Sequence, residues 1–311
     1  MINFRYHVVS LTAVFLALAI GLVVGTAALN GPVADSLKER VNGLSNQNQQ
    51  MRQAVQSMEK ELELEEEFTA QLAEVVLPGT LTGKRVLVVS LPTGRDHTEG
   101  VIRMLQLAGA QVSRVDLQDK FINPDNNNNL LELAVTAARP TSAPTADLPG
   151  NGNGVEKSSA LLATVLLDRA PGAAPVSEAD RRAVLAAYTN ANYLTTDDPV
   201  TGSAEAVVLV SGQPYVDKDS AKKDESVLNV AVQFDRAGTV VVGGNGSAGG
   251  NVVAAVRSDP VLVQSISTVD NANTVQGQLV TALALVEQVT GKKTGQYGIA
   301  DNATLLPRLP Q

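Results

Sequence analysis

Gly244, Gly246 and Gly249 form a G-x-G-x-x-G string, the spacing that lets a backbone turn tightly against a pyrophosphate at a helix N-terminus. The string follows an apolar run, TVVVG at 239–243, and opens onto NVVAAV at 251–256. Asp270 ends the next predicted strand, about 20 residues past the last glycine, where a dinucleotide fold keeps the carboxylate that holds a ribose hydroxyl. The implied chemistry is dinucleotide binding by an α/β enzyme. The same glycines, extended by Gly243 and Gly250, equally suit a surface turn in a domain without a ligand, because so short a string often matches by chance.

The remaining candidates for chemistry are sparser. Residues 79–84 (GTLTGK) are not a P-loop: only three residues separate the glycines, and no Ser or Thr follows Lys84. Asp197 and Asp198, and the Asp217-Lys218-Asp219 triplet, offer hard oxygen ligands but lack the spacing of a calcium loop, so exposed loop charge is the simpler reading. His97 beside Asp96 has no Ser or Cys nucleophile to serve. Met51 and Met58 are thioethers at helical spacing; a copper site would want such ligands, and a hydrophobic seam would use them as filler.

Composition narrows the classes further. The 311 residues contain 24 Lys and Arg against 32 Asp and Glu, a net charge of −8, and lack a long basic block, so nucleic acid is not an expected partner. The sequence contains no cysteine and only two histidines, His7 and His97. Thiol nucleophiles, all-thiolate zinc sites, iron–sulfur clusters and His-rich metal sites are therefore excluded. No resident cofactor is expected.

Three segments would carry these residues. Residues 8–29 (VVSLTAVFLALAIGLVVGTAAL) are 22 uncharged positions, long enough to cross a hydrocarbon core of about 30 Å. A cleaved signal is the alternative, with Thr26, Ala27 and Ala28 suiting a peptidase; its apolar part would usually be about 7 to 15 residues, which favours a retained anchor. Arg5 on one side and Lys38 and Arg40 on the other leave orientation undecided by charge. Ala13, Ala17, Gly21 and Gly25 recur every four residues and would let two membrane helices approach closely.

After Gly31-Pro32 a heptad pattern runs over 32–77. Its a positions fall at Ala34, Val41, Asn48, Val55, Leu62, Thr69 and Val76, and its d positions at Leu37, Leu44, Met51, Met58, Glu65 and Leu72. That period predicts a coiled coil, and Asn48 at an a position favours a parallel homodimer. Glu65 and Thr69 interrupt the seam, so its far end is expected to be looser or to touch something else. The acidic run at 59–67, opposed only by Lys60, reads as a solvated face or as a lure for a basic partner.

Pro78-Gly79 ends the helical pattern, and 78–311 is expected to fold as an α/β domain with a mainly parallel, doubly wound sheet. Strands are predicted at 85–91, 111–117, 206–211, 239–243 and 265–270, and helices at 96–107, 177–188, 225–236, 250–257 and 273–290. Asp96 with Glu99, and Ser177 with Asp180, read as helix-start caps. The Asn-, Pro- and Gly-rich stretch at about 122–155 is expected to be mostly loop, with a short helix at 130–138.

The opening MINFRYHVVSLTAVFLALAIGLVVG, the heptad segment, AAVRSDP at 254–260 and STVDNANTVQGQLVTALALVEQ at 267–288 together resemble the actinobacterial MctB/SteB family. The resemblance implies a non-enzymatic envelope protein, single-pass in the cytoplasmic membrane with its large domain outside. It implies a part in copper homeostasis and transport, or in septation beside a SteA-like membrane partner. It supplies no catalytic residues.

Overall fold

The computed structural model describes residues 4–29, 31–137, 140–142, 148–169, 172–197, 200–246 and 250–308. The chain divides into two compact units, Met1–Glu65 and Glu66–Gln311.

The first unit is helical. Helix α1 covers Phe4–Leu29, and its stretch Phe4–Ala27 is long and apolar enough to cross a bilayer. It is apolar all round, as a helix surrounded by lipid rather than by protein should be. Helix α2 then runs for 45 residues, Pro32–Val76. Pro32 suits its first position because that residue's N–H would have no helical acceptor. Leu37, Val41, Leu44, Met51, Val55, Met58 and Leu62 are each more than half exposed on it, so the heptad stripe is open along the first unit.

The last turns of α2, residues 66–76, belong to the second unit. Ala73 and Leu77 are fully buried there and Thr69 nearly so, in a core they share with Leu105, Leu279 and Leu283. The seam's expected interruption is therefore the point at which the helix enters a globular core. Gly79, at φ +85°, supplies the left-handed turn that ends the run after Pro78.

Among the described residues seven strands form one sheet: β1 (Arg85–Ser90), β2 (Gln111–Leu117), β3 (Leu194–Thr195), β4 (Ala206–Val210), β5 (Thr239–Gly243), β6 (Ile266–Val269) and β7 (Gln296–Tyr297). Their order is β3-β2-β1-β4-β5-β6-β7, parallel except for β3. The connecting helices are α3 (Arg95–Leu107), α4 (Asp119–Ile122), α5 (Asn127–Glu132), α6 (Gly154–Leu166), α7 (Glu178–Asn190), α8 (Ser220–Ala237), α9 (Val252–Ser258), α10 (Leu262–Ser265) and α11 (Val275–Gly291).

Both faces of the sheet are covered. Leu87 and Val89 of β1 point into a core with α6, α7 and α8, while Val86 and Val88 point into the opposite core with α3 and α11. A strand buried on both sides cannot alternate apolar with polar, which is why RVLVVS reads as a solid run.

Two local expectations are corrected. Within 122–155 the expected short helix is present and starts earlier: a 3₁₀ turn at Pro124–Asn126, then α5, then a π turn at Leu133–Ala137. Helix α6 begins inside the NGNG text, where Asn153 caps the Glu156 N–H and the Glu156 carboxylate accepts from the Asn153 N–H. The Asp96–Glu99 cap is absent: a 3₁₀ turn at Pro92–Gly94 precedes α3, Gly94 is its cap, and Asp96 lies in the first turn. There its charge still complements the helix dipole, while Glu99 pairs with Arg114. The Ser177 cap forms, its hydroxyl accepting from the Asp180 N–H.

Candidate functional site

In an open parallel sheet, ligands enter where neighbouring strands send their connections to opposite faces, which here lies between the carboxyl ends of β1 and β4. That crevice is zipped shut. The Leu91 N–H donates to the Val210 carbonyl at 2.9 Å, and the Gly212 N–H donates to Thr93 Oγ1 at 3.0 Å. A Cβ on Gly94 would lie 2.4 Å from the Val210 carbonyl oxygen, and one on Gly212 only 1.7 Å from that of Thr93. The two loops meet backbone to backbone because glycine leaves no side chain between them.

Outside this closure lies an open cleft of about 620 Å³, walled by Asp96, His97, Tyr215, Asp217 and Asn245. Lys223 pairs with Asp217, and the Asp219 N–H donates to the same carboxylate at 3.1 Å; the Lys223 bond holds Asp217 below its ordinary carboxylate range. Lys223 also sits 5.2 Å from the centre of the Tyr215 ring. The Tyr215 hydroxyl is buried without a partner, and burial pushes it well above the usual phenol range. The Asp217-Lys218-Asp219 charges thus serve a turn leading into α8.

The glycine string follows β5 rather than β1, so it opens beside the crevice instead of into it. Gly244 donates to the Val269 carbonyl at 2.8 Å and accepts from the Ala272 N–H at 2.9 Å. Gly246 is left-handed at φ +83°; Gly249 lies outside the described residues. The Asn251 amide ties the loop back, donating to the carbonyls of Asn245 at 3.0 Å and Gly212 at 3.2 Å, while its oxygen caps α9 through the Val253 N–H. That helix has only seven residues.

Asp270 comes close to the glycine loop, as the spacing anticipated, but its side chain is 1% exposed. It receives Arg257 Nη1 at 2.8 Å, the Ile299 N–H at 2.8 Å and the Ala300 N–H at 3.3 Å. Arg257 extends the clamp, donating to Thr268 Oγ1 at 2.9 Å and to the Tyr297 carbonyl at 2.7 Å. A carboxylate with three internal donors is not presented to a ribose hydroxyl. Its work is to hold the loop after β7 onto β6.

The other named residues disperse. Asp197 bonds Arg114 at 3.1 Å, together with Asp116 at 2.7 Å and Glu99, whereas Asp198 lies outside the described residues. This four-residue cluster joins segments up to 98 positions apart, and no local motif announces it. Met51 and Met58 stand exposed on α2. Among the described residues, no group of three His, Cys, Asp or Glu side chains is placed to hold a metal ion.

A family model described as "Copper transport outer membrane protein, MctB" matches residues 1–307. The chain belongs to the MctB family. It is 29% identical to the copper transporter MctB of Mycobacterium tuberculosis over 312 residues, 97% of this chain and 98% of that one. The Mycobacterium bovis protein of the same name matches equally. The Mycobacterium leprae one is 28% identical over 314 residues, 98% of each chain.

As an MctB-family chain it has an instructive architecture. Its described strands form one open sheet with helices on both faces, not the long alternating strands of an outer-membrane barrel. Its sulfur is equally limited: the sequence holds Met1, Met51, Met58 and Met104 as its only sulfur residues, and Met104 is buried in the core.

Proposed function

We propose that this chain is a non-enzymatic, single-pass envelope protein acting in copper homeostasis, held in the cytoplasmic membrane by α1 with its α/β unit outside. The observation that carries the reading is the MctB match over residues 1–307, which includes the leading apolar helix as well as the α/β unit. Cu(I) prefers thiolate or thioether donors. With no cysteine and only four methionines, copper control through this chain is indirect, exerted through a partner rather than by ligation.

The exposed stripe on α2 supports a mechanism. Leu37, Val41, Leu44, Asn48, Met51, Val55, Met58 and Leu62 form the seam of a parallel homodimer, and Ala13, Ala17, Gly21 and Gly25 continue the pairing through the bilayer; a Cβ on Gly21 or Gly25 would meet nothing within 4 Å. Such a rod favours a second reading, a septation scaffold that engages a SteA-like membrane protein.

Deleting the gene separates the two. Copper hypersensitivity with normal septa, rescued by a Met51→Leu/Met58→Leu chain, supports indirect copper control. Failure of that variant to rescue, with the protein at normal abundance, would mean direct thioether ligation. Multiseptate cells at ordinary copper would favour the scaffold.

A further inference from the structure

The sequence contains five Asn-Gly dipeptides, beginning at Asn30, Asn42, Asn151, Asn153 and Asn245. Such a pair is chemically labile, because a glycine has no Cβ to keep its peptide nitrogen away from the side-chain amide before it. The reaction needs a backbone free to swing that nitrogen onto the asparagine Cγ, a glycine N–H not firmly held elsewhere, and access for water. Asn30 lies outside the described residues; the fold sorts the others.

Asn42 is exposed, but Gly43 lies inside the long helix α2, whose hydrogen-bond ladder fixes both the backbone and the N–H. Asn153 is the cap of α6: its Oδ1 accepts from the Glu156 N–H at 2.9 Å, and the Gly154 N–H donates to Asn127 Oδ1 at 2.6 Å. At Asn245 the Gly246 N–H donates to the Asp270 carbonyl at 2.5 Å, and the Asn245 carbonyl accepts from the Asn251 amide at 3.0 Å. Asn151 differs in each respect. It stands exposed on a turn, its side-chain amide has no partner among the described residues, and the Gly152 N–H makes only a long bond, 3.2 Å, to the Pro149 carbonyl. That turn is also coupled to α6. A Cβ on Gly152 would meet the Pro149 Cβ at 2.8 Å and the Glu156 Cβ at 3.3 Å, so the turn packs against the side chain that closes the capping box by accepting from the Asn153 N–H at 2.8 Å.

We propose that Asn151 is a site of spontaneous deamidation whose product loosens the start of α6. The Gly152 nitrogen loses its proton to hydroxide or water and attacks Asn151 Cγ. The bond from Cγ to the side-chain nitrogen breaks, that nitrogen takes up a proton and leaves as ammonia, and a cyclic imide remains. Water then adds to either carbonyl of the ring and opens it to aspartate or to isoaspartate, with no oxidant or reductant consumed. Aspartate adds a negative charge to the turn. Isoaspartate inserts a methylene into the main chain just ahead of Asn153, and the Gly152–Glu156 packing carries that change into the capping box.

The test follows the full chain in detergent micelles by mass-spectrometric peptide mapping during incubation at mildly alkaline pH, beside a sample denatured in guanidinium. In the folded chain Asn151 is expected to convert at least about fivefold faster than Asn42, Asn153 or Asn245, the ratio set by one net hydrogen bond. In the denatured chain those rates should converge, since only the fold separates them. Hydrogen exchange should quicken at the Asn153 and Glu156 amides of the converted chain and stay unchanged in an equally aged Asn151→Gln chain, whose longer side chain closes such a ring far more slowly. The proposal is overturned if Asn42, Asn153 or Asn245 converts as fast as Asn151 in the folded chain, if Asn151 persists there through an incubation that converts it in the denatured chain, or if conversion leaves both amides as protected as before.

Discussion

Arg257 and Asp270 form an ion pair at 2.8 Å whose carboxylate is 1% exposed, and the same guanidinium reaches the Tyr297 carbonyl at 2.7 Å. The ends of β6 and β7 and helix α9 meet in that clamp, because the carboxylate also receives the N–H groups of Ile299 and Ala300. Removing one partner of a buried pair leaves an uncompensated charge and costs about 3 to 5 kcal/mol. Arg257→Ala is expected to lower the stability of the α/β unit by about that much, read as a drop in urea midpoint without a change of slope. An effect below about 1 kcal/mol would show that solvent, not Arg257, satisfies Asp270.

Gly212 carries the closure of the β1–β4 crevice. Its missing Cβ leaves room for the Thr93 carbonyl, which would otherwise stand 1.7 Å from a methyl. Gly212→Ala must push two backbone loops apart, and overpacking of that kind costs about 1 to 3 kcal/mol. The variant is expected to melt earlier and to expose Leu91 and Gly212 amides to hydrogen exchange. Unchanged protection at both amides would mean that the loops relax without separating.

Asp180 ties residues 141 and 142 to the start of α7. Its carboxylate accepts from the Ser142 N–H at 2.6 Å and the Thr141 N–H at 3.1 Å. The bonds from Ser142, then that of Thr141, bring its pKa from the ordinary 3.8 down to about 2. Because the folded value is the lower one, the tie is at full strength above pH 3.8 and is lost as pH falls through about 2. A carboxyl titration of Asp180 by NMR should show that midpoint, and Asp180→Asn should free the Thr141 and Ser142 amides at neutral pH while the sheet stays protected. A midpoint near the ordinary value would remove the tie.

What was legible in the sequence was what depends on neighbours in the chain. The continuous apolar runs placed β1, β4 and β5 within a residue or so, since a doubly covered strand has no polar face to hide, while the more mixed text of β2 and β6 was placed by its position in the alternation of strands and helices. Strands β3 and β7, two residues each, carry no period at all and exist because Asp116 and Thr268 lie beside them. Helix α6 was missed although Asn153 and Glu156 spell its capping box, because the surrounding Asn-Gly repeats imitate a loop. The glycine string was visible, but what fills the crevice was not: Thr93 meets Gly212 across 119 positions, and Asp270 meets Arg257 from a different strand-helix unit. The Arg114 cluster, which gathers Glu99, Asp116 and Asp197, is likewise a long-range fact.

The final expectation concerns Asn48 and follows from the proposed dimer. Asn48 occupies an a position in a stripe whose other members, from Leu37 to Leu62, are apolar and exposed on α2. Buried in a seam, its amide finds its counterpart only when two parallel helices are in register, which costs stability but penalises slipped or higher-order pairings. Asn48→Val is therefore expected to raise the thermal midpoint of the full chain in detergent while broadening its distribution of oligomers in sedimentation. Asn48→Lys at the same position should weaken association without altering the α/β unit. If the unmodified chain sediments as single copies at high protein-to-detergent ratio, the seam is not an interface, and the exposed stripe on α2 needs another occupant.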